Sequence, residues 1–218
     1  MNIGILGGTG KEGSGLAYRW ALAGHEVVIG SRDAGKAAAG AAQLNQLLGG
    51  KALVRGAGNL EAARAAVVVL TVPYAAQLAT ADSVAGQLVG KILIDITVPL
   101  MPPKVDRVQL PGGESAAVAL QRRLGAQVKV VSAFQNVSAT HLKDAAHEID
   151  CDVLVCGDDD YARAMVIGLA HDAGLRAWHA GVLANSIASE ALTSVLIAIN
   201  KRYKVAGSGL RITGVPKG

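Results

Sequence analysis

The chain has 218 residues, of which 51% are hydrophobic and only 3% are aromatic. This composition excludes global disorder, and the shortage of aromatic rings argues against nucleic-acid binding by base stacking. The formal net charge of +4 is spread along the chain rather than gathered in runs, which favours small anionic ligands over a DNA backbone.

Two features bear on the cellular setting. The longest stretch without charge, Ala65 to Ala81, falls short of the ~20 apolar residues that a membrane-spanning helix needs, and no secretory signal is visible. Cys151 and Cys156 lie in a β-like run at an odd separation, which predicts opposite faces of a strand and neither a disulfide nor a shared metal. We therefore expect a cytoplasmic protein with no membrane or nucleic-acid partner.

The first element is a short apolar β run, Ile3 to Leu6, followed by a glycine-rich turn. Gly8, Gly10 and Gly13 have the G-x-G-x-x-G spacing, and a helix from about Gly13 to Ala23 follows. In such a turn the glycines allow a tight bend, a close approach to a pyrophosphate and close packing of helix on strand. The surrounding strand and helix favour a dinucleotide site over an ordinary β-α turn.

The end of the second β run, Glu26 to Ile29, indicates which dinucleotide binds. NAD sites usually carry a carboxylate there for the ribose hydroxyl, whereas this chain has Ser31 and Arg32, with Lys36 one helical turn further on. A hydroxyl, a guanidinium and an ammonium attract a 2′-phosphate, so NADP is the expected cofactor. Asp33 is a contrary sign, because its carboxylate lies near the position that NAD sites use, although it is equally well placed to start the next helix.

The later elements alternate between β runs and helical patterns. This alternation predicts an α/β fold: a Rossmann-type doubly wound, mostly parallel sheet with a smaller C-terminal α/β portion. We expect an NADP-binding domain over residues 1–140 and a substrate and dimerisation domain over 141–218. The predicted elements are helices at 34–48, 59–65 with Asn59 as its cap, 74–88, 116–124, 161–173 and 185–202, and strands at 52–54, 67–70, 92–96, 128–132, 151–156 and 175–180.

The motif Thr-Val-Pro occurs twice, each time where a β run stops. Val72 and Pro73 belong to the first copy, and Val98 belongs to the second. Because ligands bind beyond the carboxyl ends of parallel strands, we expect both loops to face the cofactor. The alternative is two unrelated loop prolines. The long loop from Leu100 to Ser115 is of a kind that is usually functional or mobile.

Three segments of the second half invite a functional interpretation. The run Gly157-Asp158-Asp159-Asp160 looks like a helix start with acidic first-turn residues, which needs no metal. The last predicted helix is hydrophobic on more than one face, so it is either buried in the fold or shared with a second subunit, and a homodimer is the preferred interpretation. No acidic residue follows Glu190, and the basic residues of that tail either form a solvated surface or attract an anion; they are Lys201, Arg202, Lys204, Arg211 and Lys217.

These pieces together resemble a known family, the F420-dependent NADP reductases. The resemblance covers nearly the whole chain in order and rests on several segments rather than on the glycine turn alone. Those segments are Gly7-Gly8-Thr9-Gly10 with Gly13, Gly30-Ser31-Arg32 with Lys36, Cys156-Gly157-Asp158-Asp159-Asp160, Asn185, Glu190-Ala191-Leu192-Thr193, Arg202-Tyr203-Lys204 and Gly209-Leu210-Arg211-Ile212-Thr213.

The resemblance implies reversible, direct hydride transfer between NADPH and the deazaflavin F420, in a dimer, with no obligatory catalytic residue. It assigns cofactor binding to Gly8, Thr9, Gly10, Lys11, Glu12, Ser31, Arg32, Lys36, Val72, Pro73, Val98 and Ala139. It assigns the acceptor site to Phe134, Gln135, Asn136, Val137, Asn185 and Thr193. It implies no metal.

Some residues depart from the family pattern or have simpler explanations. Gln135 stands where many members have histidine, and Ile187 stands where archaeal members have arginine. Gln135 and Asn136 could instead cap a helix, and Thr193 could bond its own preceding turn. Two other functions therefore stay open: an NADPH-dependent reductase of a flavin, metal chelate or imine, and a non-catalytic NADPH sensor.

Overall fold

The computed structural model describes residues 1–215, so Lys217 of the basic tail lies outside the described residues. Its strands form one eight-stranded sheet in the order β3-β2-β1-β4-β5-β6-β7-β8. The strands are β1 (Asn2–Leu6), β2 (Glu26–Ser31), β3 (Val54–Gly58), β4 (Val67–Leu70), β5 (Ile92–Asp95), β6 (Lys129–Ser132), β7 (Asp152–Gly157) and β8 (Arg176–His179). The helices are α1 (Lys11–Leu22), α2 (Ala34–Leu47), α3 (Asn59–Ala62), α4 (Gln77–Leu88), α5 (Ala116–Leu124), α6 (Asp160–Asp172) and α7 (Ser186–Tyr203).

The first six strands pair in parallel, and the direction of winding reverses between β1 and β4. Strands β4 and β5 are fully buried and, apart from Asp95 at the end of β5, apolar, as expected where helices cover both faces of a parallel sheet. β7 then pairs antiparallel with β6, and β8 pairs parallel with β7. This confirms the predicted Rossmann-type, mostly parallel sheet.

The core joins the two halves of the chain. Trp20 of α1 is fully buried, and its ring meets Phe134 edge-on, with 5.9 Å between the centroids and 81° between the planes. Its indole nitrogen donates to the carbonyl of Leu169 in α6, at 2.8 Å. Arg19 donates to backbone carbonyls of the loop before β7, including that of Leu142 at 2.8 Å. The C-terminal elements therefore pack directly on the helix that follows the glycine turn.

Two predicted helix starts are wrong by a small margin, for local reasons. Helix α1 begins at Lys11 rather than Gly13, because the extended backbone of Gly10 already serves as its N-cap. Helix α3 is capped by Gly58 and ends at Ala62, so Asn59 is its first residue and its side chain is free for another contact. The predicted cap Asp33 does start α2, where it accepts from the Lys36 amide at 3.1 Å.

The aspartate run starts a helix, as predicted, and the two cysteines are unpaired. Cys151 and Cys156 are both buried free thiols, although Cys151 lies one residue before β7. Asp159 is the N-cap of α6 and accepts from the Ala162 amide at 2.7 Å. Within residues 1–215 no group of three or more histidine, cysteine or carboxylate side chains could hold a metal ion.

Helix α7 is attached to the sheet domain by polar contacts. The segment Leu183–Tyr203 has the length and mean hydropathy, 1.3, of a membrane span, which is weak support for one. Its buried face, however, includes Ser186, Ser189 and Glu190. The Glu190 carboxylate accepts from the backbone amide of Ala116 at 2.7 Å. This helix is therefore docked on the fold through the first turn of α5.

Candidate functional site

The glycine turn brings β1, β2 and α1 together at the carboxyl ends of the strands. A Cβ on Gly8 would lie 2.9 Å from the Cβ of Ile29, and one on Gly13 would lie 2.5 Å from the Thr71 hydroxyl. Both positions therefore require glycine for close packing. The first-turn amides of α1 have no intrahelical partner, and together with the helix dipole they favour a bound phosphate.

A first cavity of about 480 Å³ lies beside this turn. Arg32 is the one charged side chain among its described lining residues, and no carboxylate lines it. The hydroxyl of Ser31 accepts from the Asp33 amide at 3.1 Å, while the Asp33 carboxylate is engaged at the start of α2. The lining residues are Gly7, Thr9, Gly10, Ser31, Arg32, Asn59, Thr71, Val72, Pro73, Ala76, Ala79, Thr80 and Ser83.

Asn59 is a member of this cavity that the sequence analysis did not place there. Its Oδ1 atom accepts from the amide of Gly7 at 3.3 Å, which ties the start of α3 to the glycine turn. A Cβ on Gly30 would meet the same oxygen at 2.7 Å. Its position after β3 could have suggested a role at the carboxyl edge of the sheet, but the cap interpretation obscured it.

A second cavity of about 430 Å³ continues from the first across the switch point between β1 and β4. The two cavities share Gly10, Thr71, Val72 and Pro73. The second is lined by Gly10, Lys11, Glu12, Thr71, Val72, Pro73, Tyr74, Ile96, Thr97, Val98, Leu100, Phe134, Gln135, Val137 and Thr193. Both Thr-Val-Pro loops therefore line it, the second through Thr97 and Val98.

A buried hydrogen-bond network supports the second Thr-Val-Pro loop. Asp95 at the end of β5 is fully buried and accepts from the amide of Thr97 at 3.1 Å and from its hydroxyl at 2.8 Å. Gln77 donates to the other Asp95 oxygen at 2.6 Å. Burial raises the pKa of Asp95 to about 6, although its hydrogen bonds oppose the rise. The sequence analysis missed both Asp95 and Gln77, since a carboxylate ending a strand carries no distinctive signal.

Gln135 is held at the edge of the second cavity in one orientation. Its Nε2 atom donates to the Asp95 backbone carbonyl at 2.9 Å and to the Ser132 hydroxyl at 2.7 Å. A carbonyl can only accept, so the amide nitrogen must face it. Its Oε1 atom is buried without a partner among the described residues. Gln135 therefore retains an acceptor and has no free donor for a ring carbonyl.

Phe134 contributes mainly through its backbone. Its φ of +72° lies in the left-handed region, which is uncommon for a residue that is not glycine, asparagine or aspartate. The side chain is 1% exposed and packs on Trp20. Burial of this ring in the core holds the strained turn that presents Gln135 and Val137 to the cavity.

Thr193 of α7 closes the second cavity from the C-terminal portion. Its hydroxyl lies 2.8 Å from the Gln135 carbonyl and 3.2 Å from the Ser189 carbonyl, so it bonds both the loop and its own preceding turn. The carboxylate of Glu190, on the same helix, accepts from the backbone amide of Ala117 at 3.1 Å as well as from that of Ala116. Burial raises the pKa of Glu190 to about 7. Helix α7 thus contributes to the wall of the second cavity through Thr193.

Several predicted site residues lie elsewhere. The Asn136 side chain donates to the Asp152 carbonyl at 2.7 Å, and that of Asn185 donates to the Ala180 carbonyl at 2.8 Å, so both have structural partners. Neither lines a cavity, and neither do Ala139 and Lys36. Gln135 and Asn136 are not helix caps, because the short turn after them starts at Ser138. Gly8 acts through packing beneath the turn.

Glu12 is in the second cavity, but its chemistry differs from that of a phosphate ligand. Part of the residue is exposed, while its Oε1 atom is buried with no hydrogen-bond partner among the described residues. Burial raises the pKa of Glu12 to about 8. A carboxyl group carries no positive charge in either protonation state, so this side chain lacks the electrostatic attraction that a phosphate ligand needs.

Two adjoining cavities lie at the switch point of a Rossmann sheet, one with an arginine that has no partner among residues 1–215 and the other lined mostly by apolar surface, and they define a dinucleotide-dependent oxidoreductase. Comparisons with known proteins narrow this class. The family model described as "NADP oxidoreductase coenzyme F420-dependent" matches residues 2–99. The F420-dependent NADP reductase of Methanothermobacter marburgensis is 42% identical over 224 residues, covering 100% of both chains. The chain therefore belongs to the F420-dependent NADP oxidoreductase family.

Two further relatives agree with this placement. The F420-dependent NADP reductase of Methanocaldococcus jannaschii is 42% identical over 223 residues and covers 99% of each chain. The crystal structure of a putative F420-dependent NADP reductase from Arthrobacter sp. FB24 superposes with a TM-score of 0.80 at 30% identity. That superposition covers 97% of this chain and 98% of the other. The similarity therefore extends through the C-terminal portion.

Proposed function

We propose that the chain catalyses reversible hydride transfer between NADPH and the deazaflavin coenzyme F420. The observation that carries the proposal is the pair of connected cavities, one suited to a phosphorylated adenosine and one to two stacked rings. Relatives named F420-dependent NADP reductases, similar over the full length, support the choice of acceptor. No covalent intermediate is required, so positioning of the two rings and exclusion of water would supply most of the rate.

The first cavity would hold the adenosine 2′-phosphate of NADP. Arg32 lines it and makes no hydrogen bond or ion pair with residues 1–215, so its donors are available. Ser31 supplies a hydroxyl, and Lys36 lies exposed in the first turn of α2 as a more distant positive charge. The turn from Thr9 to Lys11 would bind the pyrophosphate through backbone amides.

The second cavity would hold the nicotinamide with the deazaflavin ring stacked on it. Val72, Pro73 and Val98 give apolar walls, and Val137 and Thr193 close the far side. The orphaned Gln135 oxygen would accept a hydrogen bond from a ring N–H or an amide N–H. This arrangement fits two flat heterocycles with polar edges.

The direct test is to mix the purified protein with NADPH and F420 and follow the visible absorbance of the deazaflavin. Bleaching with matching loss of NADPH is the expected result, and NADP with reduced F420 should reverse it. Absence of any change in both directions would refute the proposal. NADH in place of NADPH tests the cofactor preference in the same cuvette.

A second candidate is NADPH-dependent reduction of another acceptor. The rat metalloreductase STEAP3 is 30% identical over 190 residues, covering 87% of this chain and 36% of that protein. The same assay with FMN and with a ferric chelate separates the two functions. Turnover with these acceptors but not with F420 would favour the second candidate, and NADPH binding without any turnover would favour a sensor.

We also propose a homodimer that uses α7. Val195, Ile199 and Tyr203 are spaced four residues apart and are 44%, 37% and 71% exposed, so they form an apolar stripe on one face of the helix. In this proposal residues 1–140 bind NADP, and residues 141–218 complete the acceptor site and the dimer interface. We place the enzyme in the cytoplasm, without membrane or nucleic-acid partners.

A further inference from the structure

The wall of the second cavity contains one carboxyl group, that of Glu12, among the described residues that line it. Glu12 lies in the first turn of α1, which begins at Lys11 after the Gly10 cap. Its Oε1 atom is out of solvent contact and has no hydrogen-bond partner within residues 1–215. A buried oxygen without a partner costs free energy in the ionised form, much more than in the neutral form.

The groups facing Glu12 across the cavity do not compensate a negative charge. Lys11 precedes it on the same turn but is exposed, and Tyr74 is the titratable group that the segment after β4 contributes. The loop after β5, the Phe134 to Val137 segment and α7 contribute no charged side chain to the lining. Burial alone raises the pKa of Glu12 to about 8, so near neutral pH the carboxyl is mostly protonated.

The proposed reaction requires a proton donor beside the acceptor ring, which would lie in the second cavity. When a hydride leaves NADPH and forms a C–H bond on a neutral deazaflavin ring, the electron pair that arrives leaves the ring negatively charged. One proton must then be bound at a ring nitrogen to complete the reduction. A neutral carboxylic acid in the wall of the ring cavity can supply it.

We propose that Glu12 is the proton donor when F420 is reduced and the proton acceptor when reduced F420 is oxidised. This inference rests on the proposed function. In the forward direction the Glu12 O–H bond breaks, an N–H bond forms on the acceptor ring, and solvent at the cavity mouth returns a proton to the carboxylate. In reverse, the ring N–H proton passes to the Glu12 carboxylate as hydride leaves for NADP.

The test compares wild type with Glu12→Gln, which preserves shape but holds no transferable proton, and with Glu12→Asp, which retains the acid on a shorter side chain. Glu26→Gln, at the opposite end of the sheet on an exposed side chain, is the matched control. Wild-type hydride transfer to F420 should slow as the pH rises through about 8, and the reverse reaction should accelerate. Glu12→Gln should lose about 10²-fold in kcat and lose this pH dependence, with Glu12→Asp partly active.

A second measurement does not depend on turnover. Carbon-13 NMR of protein labelled at glutamate carboxyls should show one resonance that titrates near pH 8 and disappears in Glu12→Gln. Titration of that resonance in the ordinary acid range would overturn the inference, as would an unchanged rate and pH profile in Glu12→Gln. If the wild-type protein transfers no hydride to F420, both the proposed function and the donor role are wrong. If Glu12→Gln has the same activity as the wild type, only the donor role is wrong.

Discussion

Replacement of Arg32 by alanine should selectively weaken binding of the phosphorylated cofactor. Arg32 lines the first cavity, is exposed, and makes no hydrogen bond or ion pair with the rest of residues 1–215, so its loss leaves no buried group unpaired. The change therefore removes charge-assisted bonds to the 2′-phosphate and little else. Such bonds contribute about 1–3 kcal/mol after screening by solvent, which corresponds to a roughly 5- to 150-fold increase in Kd for NADPH.

Titration of NADPH and of NADH by calorimetry at fixed ionic strength gives the required comparison. The Kd for NADH should change little, because NADH lacks the phosphate. Arg64→Ala is the matched control, since Arg64 is exposed beyond α3 at the start of β4, away from the carboxyl edge of the sheet. Equal weakening of both cofactors by Arg32→Ala would refute the phosphate role. A loss for Arg64→Ala of the same size would point to general charge attraction.

Three other changes test separate parts of the structure. Gly13→Ala should weaken cofactor binding at least tenfold or lower Tm by several degrees, because its Cβ would lie 2.5 Å from the Thr71 hydroxyl; calorimetry and thermal unfolding measure both. Val195→Asp should convert the proposed dimer to monomer in light scattering, while a retained dimer would exclude α7 as the interface. Folded pKa values of about 7 for Glu190 and about 6 for Asp95 mean that the native state binds more protons than the unfolded state above pH 4.5. The free energy of unfolding should therefore fall between about pH 5 and 7, by an amount on the order of 2–3 kcal/mol from Glu190. Glu190→Gln should reduce that slope in urea titrations, while Glu12, with a pKa of about 8, retains part of it.

The sheet and the first cavity could be predicted because they depend on local patterns. The apolar run before Gly8 specifies a strand, and the glycines after it specify a tight turn. The basic residue after the second strand specifies a positive charge beside that turn. Each of these signals lies within a few positions of the sequence. Helix ends were less predictable, since Gly10 and Gly58 cap α1 and α3 by adopting extended backbone rather than by donating a side chain. No side-chain pattern marks such a cap.

The buried network beneath the second Thr-Val-Pro loop could not be predicted for a different reason. Gln77, Asp95 and Glu190 come from three separate elements, and their contacts form only after the sheet has formed. Each has an ordinary explanation in its local sequence, as a helix residue or a strand end. Their partners are separated by 18 to 74 positions along the chain, so single-sequence periodicity carries no information about them.

The structure also shows that the two departures from the family pattern, Gln135 and Ile187, occupy different positions relative to the second cavity. Gln135 lines the second cavity and faces the proposed ring site, so the exchange of histidine for glutamine alters a contact with the acceptor. Ile187, in the first turn of α7, is absent from the lining of both cavities. Isoleucine at this position therefore offers neither a charge nor a contact to a ring bound in the second cavity. Of the two altered positions, Gln135 is the one that lines the second cavity, and its hydrogen bond to the Asp95 carbonyl leaves it an acceptor rather than a donor to offer there.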